Sequence, residues 1–571
     1  MAKQAVKRQA KPTPKPEAQQ RSKGSWAGYV AVALVCALVL FQGGYYAGAT
    51  CVIGFVGAIA YILFAIIRNE RRVCPWPTLA LLGTAALYLI SSFAHGATLT
   101  MLQTTATWFA AAGMSLWCVQ ETAGDKRRAL DVLSSVGVVL AAAGIAMFAG
   151  LIPIEGAVNA GRLMFTFQYA NTAGLFFAVI AVLCLCGSQR WRRVAAIVPI
   201  AALLLTKSVG AIAVFAIAAV VIAVRWVREN HPKPVLAVGG ALAVVAVCAA
   251  VVVLFRDRFA QAAQTFIERG IQMLDAGSLL ATNPLAGIGP GQWQFAYSAA
   301  QTAQYQAADV HCSYLQVALD AGAVAALVLL VMAAFGVWRL VRNGEFAAAL
   351  GAGMIAVHAL VDFDFQFSAI VVLTVLLIAT PLDAQDDEAR GVGRFALRGH
   401  PALCWVAAAC ALVASCGAVY LDLQAGALQN ASVRHDAEKA VALYDSGVFM
   451  QGDVAMETFV ASALYQSADF QGTADFVESL ASEDEALAMY HALAQIGLGD
   501  DDAARETLSS ALYQHPYNVD FYEAVRSCIV DNGLDARYAE AFNEQAGRAT
   551  ELSQAGHASW LSNQKAVEPI G

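Results

Sequence analysis

Between Arg256 and Asp320 the chain carries Arg256, Arg258 and Arg269, the turn cluster Asn283-Pro284-Leu285-Ala286-Gly287-Ile288-Gly289-Pro290-Gly291, and His311-Cys312-Ser313-Tyr314-Leu315-Gln316. Apolar runs of membrane length flank this polar stretch. Guanidinium groups beside a low-dielectric phase attract anions strongly and can grip a phosphate in two-pronged fashion. An imidazole with a pKa of about 6.5 can take a proton from a hydroxyl at neutral pH. The combination fits an anionic, membrane-borne substrate. The alternative is that the arginines pair with Asp257, Glu268 or Asp275 and that His311 merely opens a helix. A second polar segment, Gly161 to Ala173, offers Arg162 as a phosphate ligand, Gln168 and Asn171 as hydrogen-bonding groups and Tyr169 as a stacking surface. It also reads as an interfacial loop with Asn171 capping a helix. Asp362 and Asp364, within Val361-Asp362-Phe363-Asp364-Phe365-Gln366-Phe367, could orient His311, pair with an arginine or be solvated.

The elements that must position these residues are helices in a membrane. Of 571 residues, 58% are hydrophobic and 14% charged, whereas soluble domains carry about 25% charge. Repeated apolar runs near membrane length satisfy their own backbones only as helices. The expected fold is all-α: a polytopic helical membrane protein of about 13 transmembrane helices with a C-terminal TPR-like α-helical extracytoplasmic domain. The candidate spans are about 26–47, 50–67, 76–94, 103–119, 129–150, 171–186, 193–206, 208–226, 235–255, 313–340, 346–362, 367–383 and 402–421.

Basic residues alternate between the connecting loops. Arg68-Arg71-Arg72, Lys126-Arg127-Arg128, Arg190-Arg192-Arg193, Arg225-Arg228-Lys233, Arg339-Arg342 and Arg390-Arg394-Arg398 fall on one side, with loops near 43–50 and 95–101 free of Lys and Arg on the other. By the positive-inside rule the N-terminus is cytoplasmic and the C-terminal domain external, in a cytoplasmic (inner) membrane. Arg162, Lys207, Arg256, Arg258 and Arg269 then lie outside, where cations need a local reason. The domains read as a basic cytoplasmic tail (1–24), a transmembrane domain (25–421) with a large external loop (256–312), and a helical domain (422–571).

In that last domain Asp and Glu outnumber Lys and Arg roughly three to one. Its window Glu485–Pro516 places Ala492, Ala504, Ala511 and Pro516 at tetratricopeptide positions, with Asp500-Asp501-Asp502 as the turn. The alternative is a generic array of helical hairpins. The 12 cysteines include no C-x-x-C pair, and most lie in apolar spans, which excludes zinc and dithiol readings and leaves no metal or cofactor expected. Nothing points to nucleic acid.

Taken in order, Arg162 with Gln168-Tyr169-Ala170-Asn171-Thr172-Ala173, Thr206-Lys207-Ser208, Arg269, the Asn283–Gly291 turn, His311-x-Ser313-Tyr314-Leu315-Gln316 with Gly322, and Asp362-Phe363-Asp364 resemble the bacterial O-antigen ligase and polymerase family, which includes protein O-oligosaccharyltransferases. The resemblance covers roughly residues 130–385. It implies a metal-independent, inverting transfer of glycan from an undecaprenyl-diphosphate carrier to an acceptor glycan, lipid or protein. Arg162 and Arg269 would hold the diphosphate, with Lys207 beside them; Arg256 and Arg258 are secondary diphosphate candidates from their charge alone, not from the resemblance. His311 would activate or orient the acceptor hydroxyl, with Gln168, Asn171, Tyr314, Asp362 and Asp364 as polar support. Residues 422–571 would dock protein partners, and membrane lipids would surround the spans. Two positions depart from the pattern. Val209-Gly210 follows Ser208 where Arg-Gly is common, which leaves Lys207 to supply that charge. Cys312 stands where Asn is common after the histidine. Rival readings are a transporter or flippase of anionic lipid-linked glycan and a non-catalytic envelope assembly protein.

Overall fold

The computed structural model describes residues 26–68, 74–120, 122–231, 256–381, 398–480 and 484–571. It is 77% helical, a nearly all-α fold. The bundle comprises α1 (Ala27–Leu40), α2 (Ala47–Arg68), α3 (Trp76–Ala94), α4 (Leu99–Ser115), α5 (Ala123–Phe148), α6 (Ala170–Leu185), α7 (Arg190–Ala195), α8 (Ile197–Thr206) and α9 (Val209–Asn230). It continues through α10 (Arg256–Thr282), α11 (Trp293–Ala300), α12 (Ser313–Ala321), α13 (Ala323–Arg342), α14 (Phe346–His358), α15 (Ser368–Ile378) and α16 (Ala402–Val433). Among the described residues six helices are long and apolar enough to cross a membrane: α2, α3, α5, α9, α13 and α16. The chain is a multi-pass membrane protein. The candidate span 235–255 and Arg258's side chain lie outside the described residues.

Two short helices, α6 and α15, are buried on every face. A helix apolar all round belongs inside a bundle, and these two form its centre. Residues at and just before their N-terminal ends, Tyr169, Asn171 and Asp362, meet at one end of the bundle. That shared end is where polar side chains converge.

Several spans differ from expectation. The run 313–340 is not one helix, because Gly322 (φ 86°, ψ 163°) breaks it into α12 and α13. A Cβ at Gly322 would lie 1.8 Å from Leu285 O, so only glycine admits the Asn283–Gly291 turn against the break. The run 346–362 stops being helical at His358, which leaves Asp362 in a loop. The run 193–206 is split at Ala196 into α7 and α8. Helix α16 continues past residue 421 to Val433, 32 residues in all.

Beyond α16 the helices α17 (Ala437–Ser446), α18 (Val454–Gln466), α19 (Phe470–Glu478), α20 (Glu485–Leu498), α21 (Asp501–Gln514), α22 (Val519–Asp531) and α23 (Asp535–Leu552) form antiparallel hairpins. Asp436, Asp453, Asp469, Asp484, Asp500 and Asn518 each accept a backbone N–H at the start of α17 to α22 in turn. Much of the segment's acidity is therefore helix capping. Asp500 is a cap, and Asp501 and Asp502 fill the first turn of α21; the turn itself is Gly499 at φ 81°. Ala492 and Ala504 are fully buried where α20 and α21 pack.

Candidate active site

Asp362 is the centre of the polar cluster. Its Oδ1 accepts from Tyr169 OH at 2.7 Å and faces His311 Nδ1 at 3.4 Å. Its Oδ2 accepts from Asn171 Nδ2 at 2.8 Å and from Arg269 Nη1 at 3.2 Å. Burial alone would raise this carboxyl's pKa. The His311 hydrogen bond and the charges of Arg269 and His358 outweigh burial and hold it well below the usual carboxylate range. Of the three roles open to Asp362, it takes two, since it faces His311 and pairs with an arginine. Arg269 Nη1 also donates to Val361 O at 2.5 Å.

Arg162 is presented by a two-residue hairpin. Val158–Asn159 pairs with Arg162–Leu163, and the linking residues Ala160 and Gly161 both have positive φ, the geometry that matches strand twist. Arg162 Nη2 donates to Asn171 Oδ1 at 3.0 Å, and its Nε donates to Thr206 O at 3.0 Å. Asn171 thus links Arg162 to Asp362 and is not a helix cap. Lys207 ends α8 in the left-handed region at φ 50°, and its Nζ sits 3.5 Å from where a Cβ on Gly161 would stand. Arg162 and Lys207 therefore form one cationic edge. Arg256 is exposed on the first turn of α10.

The motif pair of the large loop turns out to be a clamp. Ile288 N donates to Leu319 O at 2.7 Å, and Ala323 N donates to Pro284 O at 2.9 Å. A Cβ at Gly287 (φ 72°) would lie 2.1 Å from Leu319 O. The backbone that approaches Gly287 closely is that of α12, while Gly289 and Gly291 face the side chains of Met101 and Thr104. Gln316 Oε1 then accepts Val310 N at 2.8 Å, and Gln272 Oε1 accepts His311 N at 2.9 Å. Both amides fix the backbone on which His311 is carried. Tyr314 packs edge-on against Phe365 and donates to Ala356 O at 3.3 Å, facing the core. Asp364 is fully buried and bonds His358 Nδ1 at 2.6 Å and Thr172 Oγ1 at 2.9 Å. It is neither solvated nor in contact with His311 in these bonds. Gln168 is exposed at φ 55°, bonded to Gln42 Nε2 at 3.0 Å and to Glu155 O at 3.2 Å.

Beside the cluster opens a cavity of about 320 Å³ lined by Tyr45, Tyr46, Phe167, Gln168, Tyr169, Gln306, Ala307, Ala308, Asp309, His311, Phe363 and Phe367. Tyr45 and Asp309 escaped the sequence reading. Their signals were faint: a Gly43-Gly44-Tyr45-Tyr46 junction between spans, and a carboxylate two residues before His311. His358 was hidden inside an apolar run.

The C-terminal domain touches this loop directly. Ser298 Oγ donates to Glu485 Oε2 at 2.9 Å, and Thr302 Oγ1 lies 2.8 Å from His557 Nδ1. Gln304 Nε2 donates to Lys565 O at 2.7 Å, while Lys565 N donates back to Gln304 Oε1 at 2.6 Å. Gln306 bonds Asp520.

A family model described as O-antigen ligase matches residues 194–330, in agreement with the resemblance read from the motifs. The matched segment carries Lys207, Arg256, Arg269, His311 and Tyr314. Arg162, Gln168, Asn171, Asp362 and Asp364 lie outside it. No curated protein matches the chain. The O-antigen ligase domain supports a role in glycan transfer during polysaccharide assembly.

Proposed function

We propose that this protein transfers a glycan from an undecaprenyl-diphosphate carrier to an acceptor hydroxyl at the outer face of the cytoplasmic membrane. The observation that carries this reading is Asp362, one buried carboxylate that draws His311, Arg269, Tyr169 and Asn171 to a single point from separate parts of the chain. With Nδ1 turned to Asp362, His311 keeps Nε2 for substrate. The 3.4 Å separation is at the long end of hydrogen bonding and shortens as the ring gains positive charge. The acceptor hydroxyl gives its proton to Nε2 as its oxygen attacks the anomeric carbon. The bond from that carbon to the diphosphate breaks on the opposite face, so configuration inverts and the electron pair leaves with the diphosphate.

Arg162 and Lys207 form the edge that receives the leaving group's charge, the term that dominates such reactions. Arg269 Nε is buried and has no partner among the described residues, a donor that a phosphate oxygen would satisfy. The cationic loops at the opposite end of the bundle, Arg127-Arg128, Arg190–Arg193 and Arg339-Arg342, favour a cytoplasmic placement of that end. The hairpin array of α17 to α23 fits a TPR-like docking domain on the outer side.

The test uses purified full-length protein in nanodiscs with a lipid-diphosphate-linked glycan and envelope acceptors. His311→Ala and Arg269→Ala should each abolish product detected by mass spectrometry. Undiminished transfer by either variant would refute the reading.

A further inference from the structure

The cavity beside His311 differs chemically from the cationic edge behind Asp362. Its lining residues include no Lys or Arg, but they do include the carboxylate of Asp309, the amides of Gln168 and Gln306, and six aromatic side chains. Tyr169, Phe363 and Phe367 lie with their planes 13° to 30° apart and centroids 4.5 Å to 6.1 Å apart, forming one stacked wall. Tyr46, 55% exposed, stands at the mouth. Tyr45 OH donates to Asp309 Oδ2 at 2.6 Å, which fixes the carboxylate and leaves Oδ1 as an acceptor. A diphosphate would meet a carboxylate here, with His311 the one lining group able to carry positive charge. A neutral ring carrying several hydroxyls would find an aromatic face, two amides and a fixed hydroxyl acceptor.

We infer that this cavity is the acceptor subsite for a neutral, hydroxyl-bearing pyranose, and that Asp309 is the residue that binds its hydroxyls beside His311. The inference rests on the transferase reading for the role of acceptor. The binding of a sugar ring stands on the cavity alone. Asp309 must be ionised to accept from two hydroxyls. Burial pushes its pKa up to about 6, against the Tyr45 hydrogen bond and the charge of His311, which lower it. The other titratable groups around it are Tyr46 and Tyr169 in the cavity lining and, more distantly, Asp320 and Tyr88. Binding should therefore be full at neutral pH and fall as pH drops through about 6.

Saturation-transfer NMR tests this with the full chain in nanodiscs and a panel of methyl glycosides (glucoside, galactoside, mannoside, N-acetylglucosaminide), with inorganic pyrophosphate as competitor. At least one glycoside should receive saturation from the wild type. D309N should weaken that signal at least about tenfold, since a bound sugar hydroxyl loses a charged acceptor. Pyrophosphate should not displace the glycoside. If D309N fails a thermal-unfolding check, Gln306→Ala, at an exposed lining residue, should weaken the signal severalfold. No glycoside signal in the wild type, an unchanged signal in the folded variant, or displacement by pyrophosphate overturns the inference. The measurement needs no turnover. Glycoside binding in a protein that transfers nothing would sink the transferase reading and the acceptor role and leave the sugar-binding cavity standing, whereas transfer without glycoside binding would do the reverse.

Discussion

At one end of the bundle Lys126 Nζ lies 2.5 Å from Glu345 Oε2, Arg192 is paired with Asp131, and Arg128 is 2.5 Å from Asp125. At the other end Asp362 alone faces Arg269, His311, Tyr169 and Asn171. Both ends bury charge, but the first distributes it as pairs, two of them tying one helix or turn to its neighbour and the third, Arg128 with Asp125, lying within α5. The second gathers cation, imidazole, phenol and amide onto a single acceptor. Spare donors occur at both ends, since Arg192 Nε and Arg269 Nε are each buried without a hydrogen-bond partner among the described residues. What sets the second end apart is that its donors share one acceptor. Local pairing reads as structure, and convergence on one group reads as a site.

Breaking the shared carboxylate should have the largest effect. Asp362→Ala should lower transfer about 10³-fold, as expected when a general base loses its orienting partner. It should also cost about 3 kcal/mol of stability by stranding the mostly buried Arg269 charge. Asp362→Asn should recover much of the stability and little of the activity, which transfer assays run beside thermal unfolding would reveal. Equal losses of both would erase the distinction between the two ends.

The paired end gives the complementary test. Glu345→Gln strands the nearly fully buried Lys126, and unfolding should show a loss of about 3 kcal/mol, while transfer per folded molecule stays within twofold of wild type, an expectation of about 0.4 kcal/mol or less. A smaller effect sits in the C-terminal domain. Asp500→Ala removes the cap of α21 and should cost about 1 kcal/mol, read as a modest drop in thermal midpoint without change in rate. Smallest at neutral pH is Tyr45→Phe. It removes a bond that, against burial, holds the Asp309 pKa down at about 6, so the acid limb of the pH–rate profile should move to higher pH. A shift to lower pH would count against an ionised Asp309.

How much of this was visible in the residues alone varies with the range of the contacts. Helical content and the alternation of basic loops followed from composition, because both are properties of short windows. The break at Gly322 did not, since apolar composition runs across it. The decisive contact is Leu285 O, more than thirty residues upstream. Arg162, Arg269, His311 and Asp362 were all named from the sequence, and the structure brings them into one cluster. That Asp362 joins them was left open beside plain solvation, because Tyr169 and Asn171 reach it across nearly two hundred residues. Tyr45 and Asp309 were missed for the same reason. A tyrosine after two glycines looks like an interfacial residue until the fold sets it 2.6 Å from a carboxylate on a distant loop.

Helix α16 and the Gln304–Lys565 exchange together have a mechanical consequence. The helix runs 32 residues without interruption, a rod of about 48 Å that continues from the bundle into the C-terminal hairpins. A domain held by one rod would swing about its base. This one is fastened a second time, by reciprocal bonds at Gln304 and by Gln306 with Asp520, to the strand of chain that leads to Asp309 and His311. Further bonds tie the hairpins to that loop and to the start of α4, at Ser298 with Glu485, Thr302 with His557 and Asp453 with Thr100 N. A load applied to the hairpins therefore reaches the chain that carries His311 as strain, so a protein that gripped them would have leverage on the site from outside it.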